Sequence, residues 1–174
     1  DIVAALRRFI RARPGMAGFV APELAHWQAW EASGDYAALI EAGANIDFWK
    51  VAIKPGKPLM AGRLGKTLVV GLPGNPVSAY VTALLFAVPL INALRGMAAP
   101  LPELRSMACG VPLPAGAGRT DHIRARIENG RAMPVGLNDS AALSALSKAD
   151  LLIVRKPGAP ACAEGDAVDV LVLP

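Results

Sequence analysis

Two lysines on one stiff turn, Lys54-Pro-Gly-Lys-Pro58, and a second turn, Leu72-Pro-Gly-Asn-Pro-Val-Ser78, carry the residue types best suited to holding an anion. A lysine ammonium is a compact charge with three donors, and proline and glycine set the dihedral angles of the tight turn that presents it. Asn75 is a good N-cap and Pro76 fits the first helical turn, so the second turn should open a helix whose unpaired backbone N–H groups favour phosphate or another oxyanion. Each turn follows an apolar run with strand character. Open α/β sheets bind ligands beyond such strand ends, which predicts that the two turns converge on one sheet edge. The same residues also make good turns and an ordinary helix cap, and residue types alone leave both readings open.

Other constellations lead away from chemistry. Gly62-Arg-Leu-Gly-Lys-Thr67 is close to a P-loop, but Met60 stands where the motif's first glycine belongs, and Thr67 opens an apolar strand rather than a helix. Cys109 and Cys162 belong to no CxxC or Cys/His cluster, so no metal site is expected. They read as buried free thiols in a reducing, cytoplasmic setting. His26 and His122 lack partners at ligand spacing and read as ordinary core or surface residues. Glu103, Asp121 and Glu128 read as solvated charges.

The elements that must position the two turns follow from pattern. Apolar positions at Ile2, Val3, Leu6, Phe9 and Ile10 predict a helix stopped by Pro14-Gly15, with Arg7, Arg8, Arg11 and Arg13 on its solvated face. Residues 14 to 33 have no clear period. Tyr36 to Ala42 reads as a short helix closed by Gly43, and Ile46 to Ile53 as one strand. Leu59 to Leu64 and Thr67 to Leu72 read as a hairpin about Gly65-Lys66. The second of these runs is apolar enough to be a central strand covered on both faces. A long apolar helix follows from Asn75 to Arg95, with a kink or break expected at Pro89.

Beyond Gly96 the segment Ala98 to Pro102 has linker composition and the pattern changes. Strands are predicted over Arg105 to Val111, Asp121 to Glu128, Ala132 to Leu137, Leu151 to Arg155 and Ala167 to Leu173, with a short helix from Ser140 to Lys148. The expected architecture is therefore α/β over residues 1–101, followed by a small C-terminal β-barrel or sandwich over residues 102–174.

Composition fits a globular chain of one or two domains: 174 residues, 53% hydrophobic and 18% charged. The net charge of +4 suits an anionic metabolite or simple solubility, and no aromatic platform interleaves the basic residues, so nucleic acid is not expected as a partner. Val77 to Leu94 contains no charge, but Ser78, Thr82, Pro89 and Asn92 interrupt it, and it reads as a buried core helix rather than a membrane span. Asp1 opens directly into an amphipathic stretch rather than a signal peptide, which reads as a start inside a longer protein.

The run FWKVAIKPGKPLMAGRLGKTLVVGLPGNPVSAYV closely resembles the molybdopterin molybdenumtransferase family, MoeA in bacteria and the gephyrin E domain in animals. The resemblance continues through Gly118-Arg-Thr-Asp-His-Ile-Arg-Ala125, Asn138-Asp-Ser-Ala-Ala-Leu143 and Ala149-Asp-Leu-Leu-Ile153 to Glu164-Gly-Asp-Ala-Val168, and covers about residues 34 to 174. It implies a partial three-layer α/β domain of the MogA-like kind before the β domain. It also implies a cytoplasmic homodimer that inserts molybdate into adenylylated molybdopterin and releases AMP with the help of Mg2+. By the same resemblance Lys54 and Lys57 hold phosphate or molybdate, Pro73, Gly74, Asn75 and Pro76 shape the pterin pocket, and Ser78 stands just inside the following helix. Asp35 falls at the tail of the family's GGxSxG loop as an acidic catalytic candidate. Arg124 and Ser140 match positions of the C-terminal domain that face the cleft or serve structure.

Residues 14 to 34 depart from the family pattern, because they lack the aspartate-led strand and the glycines that allow close approach to the pterin phosphate. This departure predicts that the chain carries the C-terminal half of such an enzyme rather than a whole active site, and that alone it is inactive. A non-catalytic pterin-binding or scaffold protein of the same family is the alternative. A general oxyanion or nucleotide-phosphate binder sharing only the two turns is the third reading.

Overall fold

The computed structural model describes residues 37–136 and 145–174. The helix expected at residues 1–13, the region 14–34, Asp35, Ser140 and the start of the helix expected from Ser140 lie outside the described residues. Within them the chain groups into two compact units. Residues up to Val51 belong with 56–101, and residues 52–55 belong with 102–174. The sequence pattern assigns all of 1–101 to one domain, and residues 52–55 depart from that division. The reason is a hydrogen-bonded strand pairing that no local pattern encodes.

The first unit is built on a three-stranded antiparallel sheet. Helix α1 (Ala37–Glu41) ends where Gly43 takes a φ of 87°, its N–H donating to Ile40 O at 2.9 Å while Ala44 N–H donates to Leu39 O at 2.8 Å. Strand β1 (Asn45–Trp49) pairs with β3 (Met60–Leu64), which pairs in turn with β4 (Thr67–Gly71). The β3–β4 hairpin closes at Leu64 opposite Thr67, with Gly65 at a φ of 59°. Both faces of this sheet are covered. Met60 and Val69 pack with Leu39 of α1 on one side, while Ala61 and Leu68 pack with Leu90 on the other, joined by Phe48 and Val70. β4, expected at the centre, is instead the last strand among the described residues, and β3 is the middle one. Its apolar run is explained by helices on both faces rather than by strands on both edges.

The covering helix runs from Pro76 to Leu94. It comprises α2 (Pro76–Thr82), a π-helical turn (Ala83–Ala87) and α3 (Val88–Leu94). Of the kink or break expected at Pro89, the break does not occur, and the helix instead changes its winding just before that residue. Val88 N–H reaches back five residues to Ala83 O, and this wider turn just ahead of Pro89 accommodates a residue that has no N–H and crowds the carbonyl four positions before it. Phe86, on the π turn, meets Phe48 of β1 with ring centroids 6.4 Å apart.

The strand expected over Ile46 to Ile53 is two strands. After β1, Lys50 takes a left-handed φ of 63°, and the chain re-enters extended structure as β2 (Ile53–Lys54). β2 joins the second unit by pairing in parallel with β6 (Thr120–Glu128), Ile53 opposite Thr120 and Lys54 opposite Asp121. The other strands of that unit are β5 (Arg105–Cys109), β7 (Arg131–Pro134), β8 (Leu151–Arg155) and β9 (Ala167–Val172). Pairing runs β6-β7-β5-β9-β8, and β8 returns to pair with β6, Asp121 opposite Arg155 through Ala125 opposite Leu151. Five strands thus close a small barrel, which removes free edges. Cys109, Leu113, Ala125, Ala132, Leu151, Ile153, Cys162, Val168 and Val170 fill its interior.

Candidate functional site

At the end of β4, Pro73 is buried while Gly74, Asn75 and Pro76 are exposed. Asn75 has extended backbone (φ −67°, ψ 125°), and its Oδ1 accepts hydrogen bonds from Val77 N–H at 3.1 Å and Ser78 N–H at 3.2 Å. The Ser78 hydroxyl lies 3.4 Å from the same oxygen, and Ala79 N–H donates to Asn75 O at 2.8 Å. Pro76 has no N–H, so every donor of the first helical turn is absent or already used. The helix N-terminus with unpaired N–H groups, expected as an anion cradle, is therefore a self-capped end. What the loop exposes is the run Gly74-Asn75-Pro76.

Lys54 and Lys57 are both exposed. Lys54 ends β2, the bond to Pro55 is cis, and Gly56 is buried with a φ of 110° that favours glycine. Lys57 is held from the main chain, since its carbonyl accepts from Val51 N–H at 3.0 Å while Lys50 N–H donates to Leu59 O at 3.0 Å. The turn is divided between the two units, Lys54 and Pro55 in one and Gly56 and Lys57 in the other. The Lys54 end belongs to the six-stranded sheet, whereas the Leu72–Ser78 loop follows the three-stranded one, so the expected single sheet edge is corrected. The cause is again Lys50, whose left-handed turn redirects the chain to another sheet.

Arg124 lies half-buried on β6 opposite Leu152 of β8, and its carbonyl accepts from Val135 N–H at 2.8 Å. Two positions earlier stands His122, only 7% exposed. Its Nδ1 is buried without a partner. Burial disfavours the imidazolium and lowers the pKa to about 4 from 6.5, against the opposing effects of the Lys54 main-chain dipole and the Asp121 charge. The sequence reading set His122 aside. The available signal was its place one residue beyond Asp121, and only the arrival of β2, with Lys54 opposite Asp121, shows how close it lies to the lysine turn. Among the described residues no three His, Cys, Asp or Glu side chains cluster as a metal site. Cys109 and Cys162 are free and buried, and their neighbourhood, chiefly desolvation, raises the Cys162 pKa.

Residues 36–93 match the family described as the probable molybdopterin binding domain, and residues 107–173 match the MoeA C-terminal region (domain IV). The chain is 35% identical over 139 residues to the molybdopterin molybdenumtransferase of Haemophilus influenzae, covering 76% of this chain and 34% of that protein. It is 30% identical over 135 residues to the enzyme of the same name from Bacillus subtilis, covering 75% of this chain and 31% of the other. A crystal structure of a molybdopterin biosynthesis moeA protein from Pyrococcus superposes with a TM-score of 0.66 at 22% identity, over 97% of this chain and 39% of that one. That likeness shows the fold: an α/β domain followed by a C-terminal β domain. The chain spans about a third of the length of the curated relatives it matches. With both matches falling in order along one chain, the protein belongs to the molybdopterin molybdenumtransferase family and carries its C-terminal portion.

Proposed function

We propose that this chain is the C-terminal portion of an enzyme of molybdenum cofactor biosynthesis that inserts molybdate into adenylylated molybdopterin and releases AMP. The observation that carries this reading is the succession of a molybdopterin-binding match and a MoeA C-terminal match along one chain. In this reading residues 1–101 without 52–55 form a partial MogA-like domain, and the remainder forms the C-terminal β domain. The enzyme acts in the cytoplasm as a homodimer, with no membrane or nucleic-acid partner.

The residues divide the work by chemistry. Lys54 and Lys57 supply exposed ammonium groups to molybdate or phosphate oxygens, each acting as a point charge. Gly74, Asn75 and Pro76 form a rim that shapes the pterin pocket without donating N–H groups of the helix, because Asn75 already occupies them. Pro73 anchors that rim from beneath and Ser78 locks the Asn75 side chain. Arg124, Ser140 and Asp35 complete the set carried over from the family. Mg2+ belongs to the reading as an ion that needs only one or two protein carboxylates beside water and substrate phosphates.

Calorimetric titration of the chain with molybdopterin-AMP, molybdate and AMP tests the reading. Binding of molybdopterin-AMP and molybdate is the expected result. Pterin binding without molybdate points to a scaffold, and equal binding of AMP and molybdate points to a general oxyanion binder; either outcome overturns it. Released AMP should stay at background with the chain alone, because catalytic groups must be held close to productive geometry and the glycine-rich wall is missing. Robust turnover that depends on Lys57 would show that residues 1–34 supply that wall after all.

A further inference from the structure

Lys54, Asp121 and Arg155 stand in one row across three neighbouring strands of the second unit. Lys54 of β2 is opposite Asp121 of β6, and Asp121 is opposite Arg155 of β8. Residues opposite each other on adjacent strands project to the same face, and such strands lie about 4.8 Å apart, so one carboxylate has a cation on either side. Yet among the described residues no ion pair or side-chain hydrogen bond engages Asp121. The Arg155 guanidinium, 8% exposed, is directed to the backbone instead: it donates to Pro114 O at 3.3 Å and to Pro160 O, and its Nε is buried without a partner. Lys54 is exposed and Asp121 half-buried. An open carboxylate beside a lysine read as an oxyanion holder is an unfavourable neighbour for an anion, because like charges repel. Two flanking cations also make it a poor ligand for a divalent metal.

We propose that Asp121 is a specificity-determining residue of the Lys54 site: across the β2–β6 ladder its fixed negative charge lowers the affinity for divalent oxyanions more than for monovalent ones. The proposal rests on the reading of Lys54 as an oxyanion-holding residue. Across about 7 Å of water, repulsion between two unit charges changes a binding constant about threefold, and repulsion between a unit charge and a divalent anion about sevenfold. Arg155 and Lys54 keep the row net positive, so anions are still attracted, and Asp121 sets how strongly they are held. An enzyme that must pass its oxyanion on gains nothing in turnover from holding it tightly in the ground state.

The test uses two tetrahedral oxyanions, divalent molybdate and monovalent perrhenate. Each is titrated calorimetrically into the native chain, Asp121→Asn, Asp121→Glu and Lys54→Ala at low and high salt. At low salt Asp121→Asn should bind molybdate about sevenfold and perrhenate about threefold more tightly than the native chain does. Both gains should shrink at high salt, and Asp121→Glu should stay near native. Asp121→Ser also removes the charge and carries the same expectation should Asp121→Asn not fold. Unchanged or weaker molybdate binding in a folded, charge-free variant overturns the proposal. Equal gains for the two anions overturn it as well, because a structural rearrangement would not follow anion charge. If Lys54→Ala abolishes binding while Asp121→Asn changes nothing, Lys54 holds the anion and only the role of Asp121 falls. If Lys54→Ala keeps the native affinity for both anions, the oxyanion reading of Lys54 fails and the proposal with it.

Discussion

The Asn75 side chain bonds both Val77 N–H and Ser78 N–H through a single oxygen, at 3.1 and 3.2 Å, and so closes the helix end that the Leu72–Ser78 loop presents. Replacing Asn75 by alanine removes this cap and should cost about 1 kcal/mol of stability, the usual effect of losing an N-cap. Chemical denaturation of the chain measures it. A second consequence separates cap from cradle. Since the cap already uses the donors, Asn75→Ala should free Val77 and Ser78 N–H groups and leave molybdate affinity equal or higher. A large drop in molybdate affinity with stability unchanged would mean that Asn75 meets the anion itself.

Lys57 is exposed and fixed through its carbonyl to Val51 N–H. Lys57→Ala should weaken molybdate or phosphate binding by ~1 to 3 kcal/mol, the range for a lost charge-assisted hydrogen bond. The loss should shrink as salt is raised, because exposed charges are screened. Titration at low and high ionic strength checks both statements, and unchanged affinity at low salt removes Lys57 from the site.

His122 is held neutral by burial, with its pKa lowered to about 4 in the folded chain from 6.5. Between those values the unfolded chain binds the extra proton and the folded chain does not. Stability therefore falls as pH drops from 6.5 towards 4 and levels off below, with a total of about 3 kcal/mol for a shift of this size. His122→Phe should flatten that part of the stability curve. Parallel curves for the native chain and the variant across this window would show that His122 contributes nothing to the acid response.

Limited proteolysis should cut first in the Ala98 to Pro102 segment, where Ala98 and Ala99 are exposed and no described helix or strand holds the chain. Mass spectrometry of the early fragments locates the site. A first cut between Leu68 and Leu94 would contradict the division of the chain at this point, because those residues lie in β4, the rim loop and the covering helix.

The parts of the fold that were legible beforehand are those decided within a few residues. Gly65-Lys66 between two apolar runs specified a hairpin because a two-residue turn brings its own strands together. Asn75-Pro76 specified a helix start because an N-cap and a first-turn proline act on their own next neighbours. The five barrel strands were visible as short apolar runs between Gly and Pro, although the choice between barrel and sandwich was not. That choice depends on β8 meeting β6, Asp121 opposite Arg155, thirty-four positions apart by the numbering of the pair.

By itself the sequence determined local geometry and family kinship: the two turns, the helix cap, the linker, and the long match that runs through both units. Only the tertiary structure decided how donors and partners are shared. It gave the Val77 and Ser78 N–H groups to Asn75, carried the chain past Pro89 on a π turn, split the expected strand at Lys50, and sent Ile53 and Lys54 to a barrel whose first strand opens only at Arg105. The physical reason is common to all four. A backbone group accepts whichever partner the whole fold brings within hydrogen-bond distance, and residue types at neighbouring positions cannot name that partner when it comes from another sheet. Lys54 shows the consequence most clearly, since its neighbours in sequence describe a turn after one strand and its partner in the ladder is Asp121 of the barrel.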